Sequence, residues 1–255
     1  MPAALELPAP VKPIACWSFD HTLEGKEPAM PPLRWSDGEP TWVADGVWGD
    51  WGLRIEPGAY AYIPRAELGA LNVCGPDARV TVVAWVKRSS AQPWQFIAGV
   101  WDETRAKRQY GLFLNAARYT DQPTLQRHPC ADRLHGHISD VGGPTAGDVC
   151  CLTYATGRTP LPLDAWLMLA LTYDGSAIRV YVNGELDTWE GANPFYLGGG
   201  IFDGGEGGAD FTIGSNSVAG HMGNAFDGVL GGLAVFDRTL AESDLQRLHA
   251  SARPA

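Results

Sequence analysis

The segment that most limits what this chain can become runs from residue 167 to residue 184. Residues 167–173 (LMLALTY) form an apolar run of strand length and residues 178–182 (IRVYV) a second, followed in turn by Asp174-Gly175 and Asn183-Gly184. Asp-Gly and Asn-Gly favour the positive φ angles of tight hairpin turns. The segment therefore predicts three antiparallel strands in a meander. Similar signals recur at residues 60–63, ending against Pro64, at 81–87 (TVVAWVK), at 210–214 and at 228–236, with period-two alternation and turn residues between. Helical periodicity is confined to about residues 242–250, where Leu245 and Leu248 make the buried face. Ala241 stands where a capping Ser would be expected, so this helix must rely on packing. Many strands, one terminal helix and no linker predict an all-β fold: a two-sheet antiparallel β-sandwich with one short C-terminal helix.

The chain is long enough for this. Its 255 residues, 45% hydrophobic with 10 Trp, can bury a sizeable core, and 31 Gly plus 19 Pro fall short of low-complexity bias. A Pro-rich arm is expected over residues 1–13 and a single domain over residues 14–255. Nineteen Lys and Arg against 29 Asp and Glu leave a net charge of −10 with no basic stripe, which argues against nucleic acid as a partner. No apolar run reaches the ~18 residues that cross a bilayer, which argues against a membrane partner. The N-terminus, MPAALELPAPVKPIACW, lacks a cationic start ahead of an apolar core, so no signal peptide is expected. That leaves a cytosolic protein or one whose leader has been removed, and the second reading points to the exterior or surface of a bacterial cell. Cys16, Cys74, Cys130, Cys150 and Cys151 include no C-x2-C pair and argue against structural zinc. They are expected to be buried thiols, with a Cys130–Cys150 bridge or a vicinal Cys150–Cys151 bond as alternatives.

Two segments break the strand rhythm. Residues 115–164 concentrate His, Cys and Pro, and residues 190–210 are rich in Gly. Long irregular segments in compact domains are more often functional than neutral, and both are expected on one rim or face. Sugars are recognised by aromatic platforms for their C–H faces and by planar donors and acceptors for their hydroxyls. Trp101, Tyr110, Asn115, Arg118 and Tyr119 supply those types. On a strand over 110–115, Tyr110, Leu112 and Leu114 share one face while Gly111, Phe113 and Asn115 share the other. The alternative for Trp101 and Tyr110 is an ordinary place in the core. His135 and His137, two residues apart, point the same way from a strand, with Asp140 just beyond and His128 upstream. Glycan hydrogen bonding, metal binding, catalysis and a structural polar loop are all open to this pair. For β-elimination on an acidic polysaccharide, His137 would be the base, Tyr110 the acid, and Arg105 or Arg118 the cation over the sugar carboxylate. Nucleophile elbows, P-loops and dinucleotide fingerprints are absent.

Taken in order, CWSFD at 16–20, WGL at 51–53 through Ile63-Pro64, VTVVAWV at 80–86, Trp166 through Gly184, Ile213-Gly214, FDG at 226–228 and VFDRTL at 235–240 form a series. It resembles the laminin-G-like, concanavalin A-like lectin/glucanase jelly-roll superfamily nearly end to end. The resemblance implies the sandwich fold and a functional range of lectins, glycan-binding modules, adhesion domains, glycanases and polysaccharide lyases. It also implies a structural Ca²⁺ where the first strand meets the penultimate one, with Asp20 and Asp227 at matching positions and carbonyls of Gly-rich turns completing the oxygen shell. The alternative is that both carboxylates accept turn amides. Asp203, Glu206 and Asp210 form another acidic loop that could take an ion. The paired-Glu E-x-D-x-E run of the superfamily's glycanases is missing, as are the Arg-rich and Gln-x-His strands of its alginate lyases. The leading expectation is a Ca²⁺-stabilised, lectin-like carbohydrate-binding module whose partner is a glycan or polysaccharide. A polysaccharide lyase is the enzyme alternative. The third is a structural subunit of a surface, capsid or filament assembly, whose N-terminal arm docks on another copy or a partner protein.

Overall fold

A computed structural model of the chain describes residues 12–26, 30–114, 131–148 and 150–252. Leu167–Tyr173 pairs antiparallel with Ala177–Val182, which pairs in turn with Glu185–Leu186, so the meander's third strand is only two residues long. Val182 and Glu185 face each other across Asn183 (φ 53°) and Gly184 (φ 86°), a two-residue turn with positive φ at both positions. At the preceding turn the Asp174 carboxylate accepts the amides of Ser176 (2.9 Å) and Ala177 (2.8 Å), the Ser176 hydroxyl (2.7 Å) and the Arg179 guanidinium (2.5 Å).

Leu167–Tyr173 continues the first sheet into Val80–Arg88, then Gly228–Phe236, Gly52–Ile55 and Thr41–Val43, while Ala15–Trp17 pairs with the second half of Gly228–Phe236. The second sheet runs Tyr154–Thr156, Leu134–Ile138, Lys107–Leu114, Gln95–Asp102, Phe211–Ile213, Ala61–Ile63, Arg34–Trp35. Among the described residues every pairing is antiparallel except the single bridge between Ser217 and Asp102. The described part of 115–164 is thus not irregular throughout, because it contributes two strands to this sheet. It also meets the Gly-rich segment, since the Phe202 amide donates to the Ser139 carbonyl at 2.8 Å.

Between the sheets Trp17 stacks on Phe211 (5.7 Å, 19°) among Val82, Leu112, Leu169, Leu171, Ile178 and Phe226. Gly136, between the two histidines, lets the sheets close, as a Cβ there would lie 2.5 Å from Leu171 Cδ1 and 2.8 Å from Val180 Cγ1. The far face of the first sheet is apolar as well. Val83, Trp85, Met168, Ala170, Tyr181, Ala234 and Phe236 are covered there by Trp48 and by Leu245 and Leu248 of the helix Glu242–Ser251. No side chain caps this helix at Ala241, so its apolar face holds it in place. Cys16 is buried and Cys74, Cys150 and Cys151 are half-buried, all four as thiols, so the vicinal bond is not formed; Cys130 lies outside the described residues.

Burial alone would raise the Asp174 carboxyl, but the Ser176 hydroxyl, the Arg179 guanidinium and the two amides outweigh it and hold the group well below the usual carboxylate range. A carboxylate depressed in this way stabilises the fold fully above its unfolded value of 3.8, and the contribution drains away as pH falls from there through the folded value. Asp174→Ala is expected to lower the unfolding free energy by about 1–2 kcal/mol at neutral pH. Urea melts should show the gap to wild type narrowing as the pH is taken to about 2. A gap independent of pH would assign the effect to turn geometry and not to the charge.

Candidate functional site

Strand alternation decides which of the expected site residues meet. Phe113 lies opposite His135 and Gly111 opposite His137, while Tyr154 faces His137 from the next strand. Trp101 comes from Gln95–Asp102 on the other side. Together they form one aromatic–imidazole cluster on the outer face of the second sheet. His137 lies 4.8 Å from Phe113, stacks on Tyr154 at 4.9 Å and meets Trp101 edge-on at 5.4 Å. The two imidazoles stack at 6.1 Å. Trp101, His135 and His137, candidates from two separate clusters in the sequence, lie together in space. Phe113 and Tyr154 join them through strand register alone, which no local pattern announces.

This face is not an open platform. His135 is fully buried and His137, Trp101 and Phe113 nearly so. Half-buried Trp94, Cys150 and Cys151 form its margin, with the Trp94 ring 6.4 Å from His135 and its backbone at φ 58°. Among the described residues neither ring nitrogen of His137 has a hydrogen-bond partner. Burial, then His135 and the Arg108 charge, hold its pKa well below the usual 6.5. The ring is therefore neutral, with one nitrogen a donor and the other an acceptor. Arg108 supplies the cation here. Its guanidinium sits 6.0 Å from the Trp101 ring and 3.8 Å from Glu103, and its Nε is buried without a partner. Glu103 in turn accepts Trp101 Nε1, Asn216 and Asn224, each at 3.3 Å.

The trio for β-elimination is not assembled. Tyr110 projects from the opposite face of its strand into the core, where its hydroxyl donates to the Leu71 carbonyl at 2.8 Å and burial raises its pKa far above the usual value. Arg105 is bound to Asp102 at 2.6 Å and donates to the carbonyls of Gly207 and Gly208 at 3.3 Å. Asp140 lies against the 197–200 loop, with its Oδ2 3.2 Å from where a Cβ of Gly199 would be, so it does not join the imidazoles. Asn115, Arg118, Tyr119 and His128 lie outside the described residues.

The two carboxylates expected to hold calcium have separate partners. Asp20 Oδ1 accepts the amides of Asp50 (3.2 Å) and Trp51 (3.1 Å), whereas Asp227 Oδ1 accepts the Arg54 guanidinium at 2.6 Å. The other acidic loop folds around a guanidinium as well. Arg65 donates to the Gly205 carbonyl (2.8 Å) and lies 3.5 Å from Asp203, and its own amide donates to Asp210 (2.7 Å); Glu206 is exposed. Among the described residues no group of three or more His, Cys, Asp or Glu is placed to hold a metal ion.

The chain belongs to the concanavalin A-like lectin/glucanases superfamily, whose laminin-G-type profile matches residues 58–246. No curated protein matches it. Among solved structures it is similar to domain 4 of AbnA, a GH43 extracellular arabinanase from Geobacillus stearothermophilus, in complex with arabinotriose (TM-score 0.62, 16% identity, 93% of this chain and 98% of that one). It is also similar to the CBM40 of the Ruminococcus gnavus IT-sialidase bound to alpha2,3 sialyllactose (0.52, 15% identity, 78% and 96%). A third is the binding domain of botulinum neurotoxin serotype G (0.58, 10% identity, 94% and 51%). At these identities the likeness is one of fold. Among the described residues no helix is long and apolar enough to cross a membrane.

Arg65 and Arg105 both donate into the Gly-rich segment, at Gly205 and at Gly207 and Gly208. Arg65→Ala is expected to leave the sandwich folded while hydrogen exchange of amides 203–210 accelerates by about tenfold or more. Exchange unchanged in that segment would show that its backbone holds itself.

Proposed function

We propose that this chain is a non-catalytic carbohydrate-binding module whose ligand is held at the outer face of the second sheet. The observation that carries the reading is His137, a buried neutral imidazole ringed by Trp101, Phe113 and Tyr154 with both nitrogens unpartnered. A buried polar group left in that state costs about 1–3 kcal/mol. A sugar hydroxyl both donates and accepts, and its ring C–H face suits an aromatic wall, so a saccharide entering past Trp94 and Tyr154 would complete the site. Two jelly-roll neighbours with bound saccharides, arabinotriose and sialyllactose, support the same reading. Catalysis by elimination has less support, because the acid and base it needs lie on opposite faces of one sheet.

The test is retention on immobilised neutral and acidic polysaccharides, followed together with unsaturated-uronate absorbance and new reducing ends. Retention with silence in both chemical channels is expected. New absorbance would make the protein a lyase, and reducing ends alone a hydrolase. His137→Phe separates a ligand site from a packed core. Removing the unpaired nitrogens is expected to raise Tm by a few degrees, from about 1 kcal/mol of relieved desolvation, and to cut retention about tenfold. The unfolded imidazole binds a proton below its ordinary 6.5 and the folded one does not, so wild-type stability should fall as pH drops past that value and the variant should lack this limb. A variant that gains stability and still binds as wild type would make the cluster core and nothing more.

Calcium has its own readout. A structural ion at Asp20 and Asp227 would have to add to or displace the amides and the guanidinium they now accept. A rise in Tm with millimolar calcium, reversed by chelator and lost in Asp20→Asn, would place it there. An unchanged Tm would leave both carboxylates with their present partners.

A further inference from the structure

A second group of rings lies at the edge of the first sheet, beside the strand Thr41–Val43. His21 is exposed, and its ring sits 4.2 Å from Trp51 and 5.5 Å from Trp42, stacked on the latter at 29°. Both tryptophans are half-buried. The backbone that presents His21 is constrained on either side of Asp20. Phe19 (φ 51°) and His21 (φ 57°) both occupy the left-handed region, uncommon for Phe and entered more readily by His. Between them Asp20 is pinned by the amides of Asp50 and Trp51. Gly49 makes room for that carboxylate, since a Cβ there would lie 2.2 Å from Asp20 Cγ. The constraint at Phe19 is explained by its side chain, which is buried in the core. The constraint at His21 holds an exposed ring against two indoles and gains nothing in the core.

We propose that His21, Trp42 and Trp51 form a second, surface saccharide platform specific for neutral sugars, an inference that rests on the carbohydrate-binding reading above. Indole and imidazole faces take the C–H face of a sugar ring, and the imidazole nitrogens take its hydroxyls. Asp20 and Asp50 directly precede His21 and Trp51 in the chain, and with a net charge of −10 on the whole chain they disfavour uronates and sialates. Asp20 acts here as a positioning residue.

Affinity electrophoresis of the full chain through gels containing arabinan, hydroxyethylcellulose or polygalacturonate tests this. His21→Gly removes the ring and places at φ 57° the residue that adopts it freely, so Tm should hold or rise while retardation by a neutral gel weakens at least fivefold. Trp42→Ala should weaken it as much, with near-ultraviolet circular dichroism checking its fold. Retardation of both variants equal to wild type would overturn the platform and leave carbohydrate binding to the second sheet. Retardation by polygalacturonate that weakens in His21→Gly as much as retardation by a neutral gel would also overturn it. No retardation of wild type in any gel would overturn both readings together.

Discussion

Both sheets of this molecule are buried on both faces, and the rest of the structure answers that demand. Leu167–Tyr173 and Gly228–Phe236 are buried at every position, and Val80–Arg88 at all but Lys87. Gln95–Asp102 is buried along its whole length. A strand of that kind needs an apolar cover on each side, and a two-layer sandwich supplies only one. The helix Glu242–Ser251 and Trp48 therefore become a layer over the first sheet. On the second sheet the rings of Phe96, Trp101 and Phe113 are packed in turn by Cys151. Segments without regular structure are recruited as walls.

The same demand separates what could be read from the sequence from what could not. Turn chemistry was legible, as Asn183-Gly184 behaves as its residue types require. So were the strands near 81–87, 167–173 and 228–236, and the helix that must live without a cap. Two-sided burial was there to be seen in Val82-Val83-Ala84-Trp85-Val86, an unbroken apolar run and not an alternating one, but taking it as alternation left the outer faces looking solvent-exposed. For Trp101 a sugar platform and a place in the core both stayed open, and its burial with the histidines puts it in a covered cluster. The histidine pair was legible because i and i+2 share a face. Phe113 and Tyr154 were not, because only register between distant strands brings them in.

Charges were the least legible part. Arg105 and Arg108 lie three residues apart, yet one is spent on Asp102 and the other faces Trp101. Nothing local decides which. Asp20 accepts turn amides, the simpler of the two roles open to it, whereas the Arg54 partner of Asp227 lies 173 residues away. Long-range pairing of this sort is a product of the fold and not a signal in it. The two ring clusters show the contrast in another form. One hides a polar group without partners among rings, and the other exposes an imidazole against two indoles.

The pairing of Ala15–Trp17 and Val80–Arg88 with Gly228–Phe236 sets an order of events during synthesis. Gly228–Phe236 sits in the middle of the first sheet yet is made among the last strands. Until it leaves the ribosome, the apolar edge of Val80–Arg88 has no neighbour on that side and Ala15–Trp17 has nothing to pair with. Closing such distant ends is slow, and open strand edges invite pairing with other chains. A nascent chain of this protein therefore carries an aggregation hazard for as long as Gly228–Phe236 has not emerged, and that strand is the element that removes it.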